Sequence, residues 1–239
     1  MQSFFYDIRT FETDIYNQVS PAMLLRLCID GTEQKAEAEG ARGADMLQKL
    51  GAVWMISRLS LSQLKHINKG ERLELQVTSR SIDKLTYTRD VAVISNGELK
   101  ARAKLSFIAV SLEDRKILRP SAVEEGICHS TKPIELTHLK KIRAPELEHS
   151  GEYIVPYSLC DLNGHFSSAN YAELICEQIG YWLDKNNAFS YLQIDYNAEC
   201  KPLEKISLYT GCKAEESYMQ GRHEDEKPAF TAQWKLFQI

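Results

Sequence analysis

The feature that most constrains this chain is that its pattern occurs twice. A displacement of 147 residues carries Tyr6 onto Tyr153, Asp14 onto Asp161, Ile15 onto Leu162, Ser20 onto Ser167, Ala22 onto Ala169 and Leu27 onto Leu174. Farther on, a displacement of 133 residues carries Leu73 onto Ile206 and Leu75 onto Leu208. The drop between the two displacements means the second copy lacks about 14 residues where the first holds a short helical stretch, Ala44 to Leu50, closed by Gly51. Phe230 to Phe237 also resembles Ala101 to Ile108.

Each copy reads as a strand, a helix and then antiparallel strands. In the first copy, Ser20-Pro21 has the form of an N-cap followed by proline in the first turn. Leu24, Leu25, Leu27, Cys28, Ala36 and Ala38 then recur at helical spacing, up to Gly40. Alternation takes over at Val53 to Leu61, Leu73 to Val77, Tyr87 to Val93 and Leu99 to Val110, with Asn96-Gly97 as a hairpin turn. The fold class is therefore α+β. A long apolar helix must bury its stripe, and a twisted sheet that curves around it does so. Two such units pairing edge to edge also remove two exposed edges.

Within the 239 residues, the first unit spans 1–118 and the second 151–239. Residues 119–150 hold Pro120, Pro133, Pro145 and many charges without periodicity, and read as a linker. Its cluster Lys140, Lys141, Arg143 is either a solvated face or a docking patch for an acidic partner.

A formal net charge of −4 argues against a nucleic-acid partner, because phosphate binding needs a basic surface. No apolar run is long enough for a membrane span. The opening MQSFFYDIRTFETD meets acidic residues before any apolar core, unlike a secretory signal. The six cysteines have no C-x-x-C spacing and are read as reduced thiols in a cytoplasmic protein.

The copies differ where chemistry could sit. The second has Asn163 and His165 where the first has Tyr16 and Gln18. A polar pair confined to one of two structural twins is hard to attribute to folding. It precedes the helix of its copy, where free N–H groups and the helix dipole favour developing negative charge.

The run Asp161-Leu-Asn163-Gly-His165, followed by Asn170-Tyr171 and later by Tyr196-Asn197-Ala198-Glu199-Cys200, resembles the acyl-acyl carrier protein thioesterases. The Trp54-x-x-Ser57-Arg58 strand fits the N-terminal pattern of the same family, so the resemblance covers nearly the whole chain. It implies two tandem hot-dog domains, each a long central helix wrapped by a curved antiparallel sheet. It also implies hydrolysis of the thioester between a fatty acyl chain and acyl carrier protein, which ends chain elongation. The first copy would line much of the acyl pocket and the second would carry the chemistry. The implied catalytic residues are Asp161, Asn163, His165 and Glu199, with no metal or organic cofactor. Cys200 matches a cysteine considered as a nucleophile in the family. Beside Glu199 on an alternating strand, however, its side chain should face the other way. Ser167 and Ser168 stand where family members often carry two Asn, and the absence of a plastid transit segment resembles the bacterial branch.

In this reading Glu199 activates water directly or together with His165, Asn163 donates to the thioester carbonyl, and Asp161 orients His165 or Asn163. An acyl-CoA thioesterase, a non-catalytic acyl-thioester binding protein and a hot-dog dehydratase are the rivals. Chain-length preference and homodimerisation are left open. Asp161-x-Asn163 has its glycine misplaced for a calcium loop, and Cys160, His165 and Cys176 lack zinc spacing. If the Lys140, Lys141, Arg143 cluster is a docking patch, its neutralisation raises KM for acyl carrier protein substrates, most strongly at low salt. Steady-state kinetics across a salt series measures this, and an unchanged KM at low salt removes the patch.

Overall fold

The computed structural model describes residues 1–127 and 129–239; Cys128, one of the six cysteines above, lies outside them. The first half contains β1 (Gln2–Asp7), α1 (Pro21–Ala38), α2 (Gly43–Leu50), β2 (Ala52–Gln63), β3 (Arg72–Val77), β4 (Ser81–Asp83), β5 (Thr86–Ser95), β6 (Glu98–Ser111) and α3 (Pro120–Gly126). The second contains β7 (Glu148–Ile154), α4 (Asn170–Ile179), β8 (Asn187–Tyr196), β9 (Lys205–Lys213), β10 (Glu216–Arg222) and β11 (Pro228–Gln238).

Local chemistry accounts for the boundaries. Met23 N–H donates to Ser20 Oγ at 3.0 Å, and Pro21 opens α1. Gly51 closes α2 in the left-handed region at φ 57°. Asn96 and Gly97 both have positive φ, 51° and 73°, as a two-residue turn between β5 and β6 requires. The second helix is shorter than its twin. It begins at Asn170, with Ala169 rather than Ser167 or Ser168 at the cap position.

The strands form one continuous sheet in the order β1-β3-β5-β6-β2-β8-β11-β10-β9-β7, with β4 paired to β5. The order is a palindrome of the two copies. Tyr6 pairs with Leu73 and Tyr153 with Ile206, so both sequence displacements reproduce the same register. At the centre, β2 and β8 pair antiparallel: Leu59 faces Ile194, Ser60 faces Gln193 and Leu61 faces Leu192. Under the displacement of 133, Leu59 corresponds to Leu192, Leu61 to Ile194 and Ser60 to Gln193, so a pseudo-dyad passes through the Ser60–Gln193 pair.

Both central helices lie on one face of this sheet. Leu24, Leu25 and Leu27 of α1 and Leu174 and Ile175 of α4 share a buried core with Leu59, Leu61, Leu105, Leu192, Ile194 and Phe230. An Arg26–Asn170 hydrogen bond links the helices. A second cluster, with Met46, Ala52, Tyr87, Ala109 and Val123, lies beneath α2 and α3.

The stretch expected to be a featureless linker contains α3, and β7 begins at Glu148 rather than near 151. Pro120 starts that helix at its first position and Val123 is fully buried. Seven residues show too little periodicity to be read without their packing partner. The remainder of the stretch straps the joint between the copies. Ile142 N–H donates to Asp195 Oδ2 at 2.8 Å, and Gln193 Nε2 donates to the Lys140 carbonyl at 2.8 Å. Arg58, directly across from Asp195, places Nε at 3.5 Å from the same carboxylate.

Asp195 is 2% exposed and its partners belong to both copies and the strap. Asp195→Ala leaves the Ile142 N–H without its acceptor and the Arg58 guanidinium without its facing charge, and is expected to destabilise the fold by about 3 kcal/mol. Asp195→Asn, which keeps one acceptor, costs less. Urea unfolding of both variants checks the order.

Candidate active site

The segment before α4 is a tight turn built on one carboxylate. Asp161 Oδ1 accepts from Asn163 N–H at 2.8 Å and from His165 N–H at 3.3 Å. Asp161 N–H donates back to the His165 carbonyl at 2.8 Å, and Gly164 has φ 75°. The first copy builds the same turn. Asp14 Oδ1 accepts from Tyr16 N–H at 2.8 Å and Gln18 N–H at 3.0 Å, and Asn17, in the place of Gly164, has φ 65°. Asp161 therefore acts on Asn163 and His165 through their backbone. Its twin does the same where no such pair exists.

One backbone bond docks each turn against the segment before the next strand. Phe166 N–H donates to the Cys200 carbonyl at 2.9 Å, as Val19 N–H does to Ile67 at 2.8 Å. This brings His165 beside Glu199, with Nε2 to Oε2 at 3.2 Å, although they are far apart in sequence. At the equivalent places the first copy has Gln18 and His66, so His165 and Glu199 are particular to the second. Both are partly open to solvent, and Asn163, two residues before His165 in the same turn, is exposed.

Arg115 joins this group without having been expected from the sequence. It lies in the turn after β6, in the first half, at φ 57°. Its Nη2 stands 3.0 Å from Glu199 Oε2, the oxygen that also faces His165. A left-handed arginine is uncommon and such backbone recurs at functional sites. Nothing in the one-dimensional pattern marks it, because its partner belongs to the other copy.

Behind the turn stands an aromatic cluster: Tyr171 lies against Phe166, Tyr196 and Phe230 with ring centroids 4.5, 5.2 and 5.0 Å apart. Tyr196 OH donates to the Ser168 carbonyl at 2.7 Å, and Asn170 Nδ2 to that of Leu159 at 2.7 Å, which fixes the path into α4. Glu199 and Cys200 do not lie on an alternating strand as expected, because β8 ends at Tyr196 and both fall in the loop before β9; Cys200 is nonetheless fully buried against Tyr171, and burial pushes its thiol up to about 11. The described cysteines are all unpaired.

Residues 3–130 match the model of the acyl-ACP thioesterase N-terminal domain, and residues 142–235 that of the acyl-ACP thioesterase C-terminal domain. The chain belongs to the acyl-ACP thioesterase family. It is a thioester hydrolase acting on acyl groups carried by acyl carrier protein (ACP). A search among curated proteins finds no match by sequence. Its fold is similar to that of an acyl-ACP thioesterase from Bacteroides thetaiotaomicron, with TM-score 0.81 and 19% identity, covering 99% of this chain and 97% of that one. It is also similar to a 12:0-ACP thioesterase from Umbellularia californica, with TM-score 0.77 and 14% identity over 100% and 97% of the two chains. The hot-dog fold that the resemblance implied is the fold of these thioesterases, and the tandem copies read from the repeat are both present in it. No described helix is long and apolar enough to cross a membrane.

The turn geometry separates two roles for Asp161. Asp161→Asn retains an oxygen acceptor for both N–H groups and is expected to lower kcat/KM by less than about tenfold. Asp161→Ala, which frees the turn, should lower it by about 100-fold. If Asn proves as damaging as Ala, the negative charge itself is used. Steady-state hydrolysis of an acyl-ACP distinguishes the two.

Proposed function

We propose that His165, Glu199 and Asn163 carry out the hydrolysis, that Asp161 shapes the turn presenting them, and that Arg115 completes the site from the other half. The observation that carries this is the His165–Glu199 contact, present in one copy of an otherwise repeated structure. Glu199 is an acceptor placed between two donors, His165 Nε2 and Arg115 Nη2. A water at this carboxylate loses its proton to Glu199 or, through the paired ring, to His165 as its oxygen attacks the thioester carbonyl carbon. The oxyanion that forms is met by the Asn163 amide and the nearby guanidinium. The C–S bond then breaks and the carrier's sulfur leaves, taking up a proton. A thiol leaves readily, so strong acid assistance is unnecessary. Cys200 has no part as a nucleophile, since its buried thiol is far from thiolate at neutral pH.

The acyl chain has a natural path in the first half. Ile56 pairs with Phe107 and Trp54 with Ala109 on the helix-bearing face. Ile56, Phe107 and Trp54 are only half-buried, between the two apolar clusters, and the strip runs to the end of β6, from whose turn Arg115 reaches Glu199. Half-buried apolar side chains beside the reacting centre gain by covering, and an alkyl chain contributes about 0.8 kcal/mol per buried methylene. The division into an acyl-binding unit (1–118), a strap (119–150) and a catalytic unit (151–239), and action in the cytoplasm, belong to this proposal.

Glu199→Ala and His165→Ala are each expected to lower kcat by about 10²–10⁴ with folding unchanged. The assay is hydrolysis of one acyl series presented both on ACP and on CoA. Normal turnover by both variants removes the assignment, and equal kcat/KM on the two carriers removes any selectivity for the protein carrier.

A further inference from the structure

His165 and Glu199 are not the only polar residues that the second copy holds without a like twin. Behind the catalytic turn, Cys200 Sγ, a Glu204 carboxylate oxygen and a ring nitrogen of His223 lie within 4.8 Å of one another. Their counterparts follow from the shared register. Cys200 corresponds to Ile67 and Glu204 to Glu71. Ser95 pairs with Leu73, and the residue facing Ile206, the counterpart of Leu73, is His223, one step beyond the Ser207–Arg222 pair.

Folding explains the glutamate. Lys201 N–H donates to Glu204 Oε2 at 2.7 Å and Asn68 N–H to Glu71 Oε1 at 2.8 Å, the same turn in both copies. The thiol has one structural partner, the buried Tyr171 hydroxyl, where the first copy has Leu24, but that contact leaves the imidazole unexplained. Where the first copy has an isoleucine and a serine, the second has a thiol and an imidazole, two strong metal-ligand types. The charge around the glutamate differs in parallel. Lys100 lies 3.8 Å from Glu71, whereas among the described residues only His223 pairs with Glu204, its Nδ1 at 2.5 Å from Oε1. His223 Nε2 is buried and has no hydrogen-bond partner. The second copy thus has a partly buried carboxylate short of a cation, a dry thiol and an imidazole with an idle nitrogen at one spot.

We propose that Cys200, Glu204 and His223 form a binding site for a thiophilic divalent cation of the zinc class, behind the catalytic turn and separate from the hydrolytic residues. One thiolate, one imidazole and one carboxylate match the ligand types of zinc, with a fourth position left to water. Zinc holds nitrogen at about 2.0 Å and sulfur at about 2.3 Å, so the donors must draw together by on the order of 1 Å. The turn and strand-end positions of Glu204 and His223 allow such side-chain movement. Binding forms the metal–sulfur bond as the thiol releases its proton to solvent, so affinity rises with pH. The Cys200 carbonyl holds the Phe166 N–H. A cation on this side chain therefore stiffens the attachment of the segment that presents His165.

The test uses the full chain after chelator treatment, titrated calorimetrically with Zn²⁺ and followed spectroscopically with Co²⁺ as a thiolate-sensitive probe. The expected result is one cation per chain, a thiolate-to-cobalt charge-transfer absorption and a rise in Tm. Cys200→Ser and His223→Gln should each weaken binding by more than about tenfold and abolish the Tm rise. The double variant Cys200→Ile/His223→Ser rebuilds the set of the first copy and should bind no cation there. If the larger side chain of Cys200→Ile prevents folding, the near-isosteric Cys200→Ser decides alone. The proposal is overturned if the wild-type chain takes up no Zn²⁺, or if its uptake is unaltered by Cys200→Ser and His223→Gln, which would place the cation elsewhere, as on the exposed Cys212.

Discussion

The pairing of β2 with β8 is the interaction on which the remaining structure depends. Each copy alone would end in an open strand edge, a row of unpaired N–H and C=O groups with no partner. Antiparallel pairing about the Ser60–Gln193 position joins the two edges and merges two half-cores, with Leu59 and Leu61 meeting Ile194 and Leu192. The outer face of the joint is polar. The buried Asp195 is satisfied there by Arg58, Gln193 and the strap residue Ile142. A buried carboxylate is costly unless paired and hydrogen-bonded, so strap and joint have to assemble together.

The same joint brings the proposed catalytic residues within reach of both copies. The end of β8 leads through Tyr196 to Glu199, and the end of β6 leads to the turn holding Arg115. Since β6, β2 and β8 are consecutive in the sheet, the two ends converge and the guanidinium reaches the carboxylate across the pseudo-dyad. A two-fold arrangement would generate a matching site at the other end, where the first copy places Tyr16, Gln18 and His66. There the scaffold was kept, including Asp14 and its turn, and the carboxylate was not. Desolvation holds His66 below the usual histidine range, and its buried Nε2 has no partner. The polar set of Asn163, His165 and Glu199 is thus present in one copy of a turn that both copies build.

Twin turns separate folding from chemistry in this chain. Asp161 and Glu204 each have a twin that makes the same backbone bonds, so their carboxylates are explained by the turns they close. Asn163, His165, Glu199, Cys200 and His223 have twins of different chemistry. A turn constrains only an acceptor and a φ value, and many residues satisfy the rest. Residues that differ between otherwise equal turns are therefore where selection for something besides the turn can be read.

Much of this was legible in one dimension. The order of elements and the equivalence of Asp14 with Asp161 followed from two displacements, because hydrophobic period and turn chemistry are local properties written into consecutive residues. The Asn163–His165 pair stood out against its twin, whereas Glu199 was implied only by the resemblance to the thioesterase family. The helix at Pro120–Gly126 was not legible, since seven residues are held by burial of Val123 and not by their own pattern. Nor were the contact of Arg115 with Glu199, the closure of Asp195 by the strap, or the meeting of Cys200 with His223. Each joins residues from separate strands or separate copies, and their distance depends on how two curved half-sheets meet. Sequence by itself determined that the chain is a tandem repeat with one chemically distinct copy. Tertiary structure decided which side chains from the two copies share a carboxylate, because only strand pairing brings them within a hydrogen bond's length.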